Sequence, residues 1–184
     1  MKNSSFRPCE KNEELLSPEA PYLSIIGALM YLTNCTHLDI VFSVNLLAKN
    51  SSTPTRRHWN GIKHILHYLR RTTDMSLFYS RESKQQLLGY ANVEYLSDPY
   101  KGNSQTWYVF NYNGTAISWR TVKQTIVATS SNHLEILTIH EASNECVWLR
   151  SIIQHIKKTC GLPSIRGNAT KLHEDNVVCI AQIK

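Results

Sequence analysis

Two acidic residues stand where a fold could bring carboxylates together for metal chemistry. Glu135 lies in the first turn of a long predicted helix, and Asp175 directly follows a short predicted strand. Hard divalent cations such as Mg²⁺ take oxygen ligands from a few carboxylates on separate elements, and two such ions can promote phosphodiester hydrolysis. The structural alternative is that Asn132-x-x-Glu135 forms a helix capping box and that Asp175 caps the next helix. From these residues alone, capping is the favoured interpretation.

The segment from residue 49 to residue 84 is a second candidate site, because it is strongly basic. Its eight basic residues minus its two acidic residues give +6, which equals the net charge of the whole chain. A basic stripe with interleaved aromatic residues is typical of phosphate-backbone binding. An ordinary solvent-facing helix is also rich in Lys and Arg, and the two interpretations are about level. The candidate contact residues are Arg56, Arg57, Lys63, Arg70 and Arg71.

The elements that must position these residues follow from the hydrophobic periodicity. Helical spacing occurs at residues 22–35, 39–49 and 55–71. Strand-like runs follow at residues 77–79, 87–95, 106–112 and 115–120. The last two runs are joined by Asn113-Gly114, which suits a type I′ turn. A helix at residues 132–158, a strand at 170–174 and a final helix complete the predicted order.

Composition excludes several classes of protein. The longest apolar run, residues 25–32, has eight residues and contains Gly27, so it is too short to span a membrane. The first residues contain no apolar segment, so we expect no signal peptide. Five cysteines without a Cys-x-x-Cys pair fit reduced thiols better than disulfides or a zinc site. We therefore expect a cytoplasmic or nuclear protein with no membrane partner.

Several short runs carry a specific resemblance to a known family. They are GALMYLTNCT at 27–36, SSTPTRRHW at 51–59, IKHIL at 62–66, ISWR at 117–120, ATSS at 128–131, ECVWLR at 145–150 and EDN at 174–176. With them, the chain from about Phe6 to Lys184 resembles the distal part of the Pol polyprotein of a plant copia-type long-terminal-repeat retrotransposon.

This resemblance implies a polyprotein segment made of two pieces. Residues 21–80, after a flexible lead-in at 1–20, resemble the helices that follow the reverse-transcriptase palm. The paired aspartates of the palm would lie before Met1, so we expect no DNA synthesis. Residues 81–184 resemble the ribonuclease H domain, which cleaves RNA in RNA–DNA hybrids with two Mg²⁺ ions. The expected fold is α/β, with a truncated ribonuclease H-like mixed sheet and flanking helices, preceded by a three-helix segment.

The resemblance also implies site residues. Glu135 and Asp175 fall on two of the four metal carboxylates of the family, and Asn92 falls on the first-strand aspartate. An amide cannot supply the charge of a carboxylate that bridges two ions. The fourth carboxylate would lie beyond Lys184. The ancestral Mg²⁺ site therefore lacks two ligands, and we expect impaired catalysis.

A rescue of the site by Glu94 is not favoured, because residues i and i+2 on a strand are attached about 7 Å apart. Three hypotheses remain. The chain is an impaired ribonuclease H-like enzyme fragment, a non-catalytic module that binds an RNA–DNA hybrid or another nucleic acid, or a pseudogene-like product without a present role. In the family a fifth strand follows, so here we expect residues 170–174 to form an exposed sheet edge that favours self-association.

Overall fold

The structure, a computed structural model, describes residues 13–80, 86–98, 103–123, 130–163 and 169–183. The chain divides into two units, Met1–Leu77 and Phe78–Lys184. Each unit has its own hydrophobic core. Among the described helices, none combines the length and apolar character that crossing a membrane requires.

The first unit contains the three predicted helices. They are α1 (Tyr22–Cys35), α2 (Val41–Ala48), which follows a 3₁₀ turn at Leu38–Ile40, and α3 (Arg56–Arg71). Helix α3 begins after Thr55, as predicted, and the ring of His58 accepts the Thr55 N–H at 3.0 Å in a capping box. The apolar faces of the three helices meet in one core, because residues three and four apart share a face of a helix. The core includes Tyr22, Ile26, Leu29, Val44, Leu47, Ile62 and Ile65.

Residues 13–17 are held against the start of α3. Leu15 forms an antiparallel bridge with Thr55, and the N–H of Leu16 donates to the carbonyl of Pro54 at 2.8 Å. A carboxylate oxygen of Glu13 lies 2.8 Å from the guanidinium of Arg57. These contacts anchor residues 13–17, whereas residues 1–12 of the expected flexible lead-in lie outside the described residues.

The second unit is a mixed sheet with flanking helices. Its strands are β1 (Leu87–Asp98), β2 (Asn103–Tyr112), β3 (Thr115–Lys123) and β4 (Lys171–His173), and its helices are α4 (Ser131–Thr159) and α5 (Val177–Ile183). The strand order is β3-β2-β1-β4, in which β1, β2 and β3 are antiparallel and β4 is parallel to β1. The mixed α/β class is confirmed, and this topology is consistent with a ribonuclease H-like fold.

The turn predicted between β2 and β3 is present, whereas the strand predicted before β1 is not. Asn113 and Gly114 have φ values of 54° and 87°, as a type I′ turn requires. Residues 77–79, by contrast, are not in a strand. Phe78 accepts a hydrogen bond at its carbonyl from the Thr115 hydroxyl, so this segment is tied to the hairpin by a side chain. A three-residue apolar run is too short to indicate a strand.

The centre of the sheet is packed around Gly89. This residue pairs with Phe110 on β2 and with Leu172 on β4. A Cβ atom at position 89 would lie 2.6 Å from Cε1 of Phe110 and 2.7 Å from Cδ1 of Leu172. The missing side chain thus leaves room for two apolar neighbours. Helix α4 covers the same core through Ala142 and Leu149.

Candidate divalent-cation site

Glu135 is not part of a helix cap. Helix α4 is capped by Ser130, whose hydroxyl accepts the N–H of His133 at 3.2 Å. The predicted capping box between Asn132 and Glu135 is therefore wrong, because the hydroxyl of Ser130, two residues before Asn132, caps the helix. The Glu135 side chain lies one turn further along, where the residue is only 7% exposed. Its Oε2 atom is buried without a hydrogen-bond partner.

Asp175 does not cap α5 either. The side-chain oxygen of Asn176 accepts the N–H groups of Val178 and Cys179, at 3.0 and 3.1 Å. Asn176 therefore satisfies the first amides of α5, and the capping interpretation of Asp175 is wrong. Ser130 and Asn176 therefore cap the two helices, and neither Glu135 nor Asp175 serves as a cap.

The structure brings three carboxylates together at the end of β4. One oxygen from each of Glu135, Glu174 and Asp175 lies within 4.8 Å of the others. Glu135 and Asp175 were predicted, whereas Glu174 was not identified as a site residue. The only sequence signal for Glu174 is its position next to Asp175 directly after a strand. Successive strand residues point to opposite faces, so sequence alone does not show that both acids share one site.

The electrostatics of this cluster disfavour its negative charges. The pKa of Glu135 is raised to about 7, first by burial and then by the negative charges of Glu174 and Asp175 and a hydrogen bond with the Glu174 side chain. Burial also raises the pKa of Glu174, while the N–H of Asn176 opposes this shift. A bound cation would favour the ionised carboxylates, because an opposite charge stabilises the charged form.

The donor set suits a hard divalent cation. Ca²⁺ binds carboxylate oxygens at about 2.3–2.6 Å and Mg²⁺ at about 2.0–2.1 Å, so two ligand oxygens are at most about 5 Å apart on Ca²⁺ and about 4 Å apart on Mg²⁺, for which the carboxylates would have to approach slightly. The three oxygens already lie within 4.8 Å of one another. The unpartnered Oε2 atoms of Glu135 and Glu174 are free to serve as ligands. The residues present therefore fit such an ion.

Asn92 lies on β1. The family resemblance assigns the first-strand aspartate to this position, but the Asn92 side chain is neutral. Tyr90 pairs with His173 in the parallel β1–β4 register, and their rings stack with centroids 5.0 Å apart. This pairing ends two residues before Asn92 on β1 and two residues before Asp175 after β4. The Asn92 side chain is half-buried, and its oxygen accepts the N–H of Val93 at 2.6 Å. The side chain of Glu94 lies outside the described residues.

Helix α3 presents a second candidate surface. Arg56, Lys63 and Arg70 repeat every seven residues and are exposed, so they form one stripe with a rise of about 10 Å per step. His67 and Arg71 lie beside this stripe, and α3 contains no acidic residue. We call these five residues the basic face.

Arg57 is not part of the basic face. Its guanidinium instead pairs with Glu13 at 2.8 Å. The Arg57 side chain is 15% exposed. The structure therefore places four of the five predicted contact residues on one surface and Arg57 in an internal ion pair.

Comparison with known proteins identifies the family. "Secreted RxLR effector protein 161" of Plasmopara viticola is 38% identical over 129 residues, which are 70% of this chain and 91% of that protein. The "Retrovirus-related Pol polyprotein from transposon TNT 1-94" of Nicotiana tabacum is 35% identical over 138 residues, 75% of this chain. The corresponding RE2 polyprotein of Arabidopsis thaliana is 30% identical over 135 residues. No family model and no solved structure matches the chain.

The chain belongs to the family of Pol polyproteins of copia-type retrotransposons, as the sequence resemblance predicted. The matched segment makes up 10% of the Nicotiana polyprotein and 9% of the RE2 polyprotein. The chain is thus related to a small part of those polyproteins and to nearly the full length of the Plasmopara protein.

Proposed function

We propose that the second unit is a ribonuclease H-like module that binds a divalent cation such as Mg²⁺ and whose ancestral reaction is the cleavage of RNA in RNA–DNA hybrids. One observation carries the proposal. Glu135 and Asp175 are far apart in sequence, yet their carboxylates meet at the end of β4, and neither one caps a helix.

The residues of the chain have separate roles in this reaction. A bound divalent cation would supply an activated water and stabilise the leaving oxygen. Glu135 and Asp175 would hold the cation, and the burial of Glu135 limits access of other water molecules to its carboxylate. Asn92 offers one neutral oxygen where a charged ligand is needed. Position 92 therefore contributes no carboxylate to place the cation for the reaction, and we propose that cleavage is impaired for this reason.

Cleavage of a labelled RNA–DNA hybrid, in Mg²⁺ and separately in Mn²⁺, tests this function. We expect the Asn92→Asp variant to cut at least about tenfold faster than the wild-type chain, because it restores a carboxylate at the position where the family has its first-strand aspartate. The Glu135→Gln variant should not cut, since a neutral amide replaces a charged ligand. Glu141→Gln is the matched control, because it makes the same change elsewhere on α4.

Two outcomes would contradict the proposal. One is the absence of cleavage by both the wild-type and Asn92→Asp chains. The other is cleavage that persists in Glu135→Gln, which would indicate a contaminating nuclease rather than this site.

The basic face supports a second candidate function, namely nucleic-acid binding without cleavage. Its cations are exposed, and α3 has no acid to neutralise them. Each Lys or Arg that contacts a backbone phosphate contributes about 0.9 to the slope of log affinity against log salt concentration. Binding of this kind depends on charge and spacing and needs no carboxylate site.

Removing three bases of the basic face should reduce this salt dependence. For a variant carrying Arg56→Gln, Lys63→Gln and Arg70→Gln, we expect the slope to fall by about 3, measured by fluorescence anisotropy with a labelled hybrid. Lys158→Gln, at an exposed position on α4, serves as a control and should leave the slope unchanged. Equal slopes for the triple variant and the wild-type chain would exclude the basic face as the contact surface.

A further inference from the structure

Glu174 is the member of the carboxylate cluster that the resemblance does not explain. Its Oε1 atom accepts the N–H groups of Asp175 and Asn176, both at 3.1 Å. These two bonds hold the carboxylate in one orientation. Its Oε2 atom is buried and has no hydrogen-bond partner. The side chain is therefore oriented by the backbone, with one oxygen left available.

A second carboxylate of the cluster also has an oxygen without a partner. Glu135 is 7% exposed and its Oε2 atom also has no partner. Burying a carboxylate costs free energy unless it is paired or coordinates a metal. Because the cluster oxygens of Glu135, Glu174 and Asp175 lie within 4.8 Å of one another, one cation could satisfy them together.

Asn92 cannot fill this role. It is uncharged, and its oxygen is already engaged by the N–H of Val93 at 2.6 Å. A hard cation favours charged oxygen ligands. The site lacks a carboxylate at Asn92 but has an additional one at Glu174, directly after β4.

We propose that Glu174 is a direct ligand of the divalent cation at this site and supplies the negative charge that Asn92 does not. The inference rests on the proposed function in that both use the same site, but it requires only cation binding. The cation is held by Glu135, Glu174 and Asp175, which gives the site three carboxylates.

Mn²⁺ binding to the full chain tests the inference without any cleavage assay. The free Mn²⁺ signal in electron paramagnetic resonance measures the dissociation constant. We expect Glu174→Gln to weaken Mn²⁺ binding by at least about tenfold, because a ligand charge is lost. Glu141→Gln is the control for loss of one negative charge and should bind as the wild-type chain does.

Glu174→Asp makes the test independent of folding defects in Glu174→Gln, since it keeps the charge and shortens the side chain. We expect its affinity to lie between those of the wild-type and Glu174→Gln chains. Two results would overturn the inference. They are no Mn²⁺ binding by the wild-type chain and wild-type affinity in Glu174→Gln.

The Mn²⁺-binding and cleavage assays distinguish a failure of the inference from a failure of the proposed function. If Mn²⁺ binding depends on Glu174 but no variant cuts a hybrid, the nuclease proposal fails and the inference stands. If the hybrid is cut and Mn²⁺ affinity is unaffected in Glu174→Gln, the inference fails and the nuclease proposal stands.

Discussion

Replacing Phe110 by alanine is expected to destabilise the second unit by about 3–5 kcal/mol. The Phe110 side chain is fully buried, with 0% exposure. Its ring fills the space beside Gly89 and meets the ring of Tyr108 edge-on at a centroid distance of 5.8 Å. Truncation removes this apolar contact area and leaves a cavity that the sheet cannot easily close. Denaturant unfolding combined with amide hydrogen exchange would measure the loss separately in each unit.

Phe42→Ala is the matched control, because Phe42 belongs to the first unit and is 44% exposed. We expect it to cost less than about 1 kcal/mol. In Phe110→Ala, protection of β1, β2 and α4 should fall while the amides of α1 and α3 keep theirs, since those helices have a separate core. A loss in the second unit below about 1 kcal/mol would show that Phe110 is not central to the core.

Glu135→Gln is expected to stabilise the second unit at pH 8 in the presence of a chelator. The pKa of Glu135 is raised from 4.5 to about 7 in the folded chain, so the folded state holds a proton that the unfolded state releases. The resulting stability is complete below about pH 4.5 and is lost as the pH rises through about 7. Glutamine never ionises, so the variant avoids this loss.

The expected gain in the free energy of unfolding at pH 8 is about 1–2 kcal/mol, allowing for solvent screening of the charge. At pH 4 the two chains should be nearly equal, because Glu135 is then neutral in both states. Denaturant unfolding at both pH values measures the difference, and Glu141→Gln controls for the loss of one charge. An equal difference at the two pH values, or a less stable variant at pH 8, would contradict this account.

Much of the fold follows from local signals. Helix α1 has the predicted bounds, because its apolar residues repeat at helical spacing. The β2–β3 turn follows from Asn113-Gly114, whose backbone conformation few other dipeptides adopt easily. The predicted strand at residues 77–79 and the cap at Asn132 were wrong. Both predictions rested on a short local pattern. The hydroxyl of Ser130 accepts the N–H of His133 and caps the helix in place of Asn132.

The site was only partly predictable, since its contacts are between residues distant in sequence. Glu135 and Asp175 were identified through the family resemblance, and their own local patterns favoured capping. Glu174 was missed because its role depends on how the chain turns after β4. The sequence predicts Arg57 as a nucleic-acid contact residue, but Arg57 pairs with Glu13, which lies 44 positions earlier. Such a partner is not visible in the periodicity of α3.

The spacing of the carboxylates also depends on an absent side chain. Gly89 allows the Phe110 ring and the Leu172 methyl group to occupy the space of a Cβ atom. Leu172 lies on β4, and Glu174 follows two residues later. Any larger residue at position 89 would press on β4, which Glu174 and Asp175 directly follow. Neutral drift at residue 89 could therefore disrupt the carboxylate cluster while Glu135, Glu174 and Asp175 themselves remained unchanged.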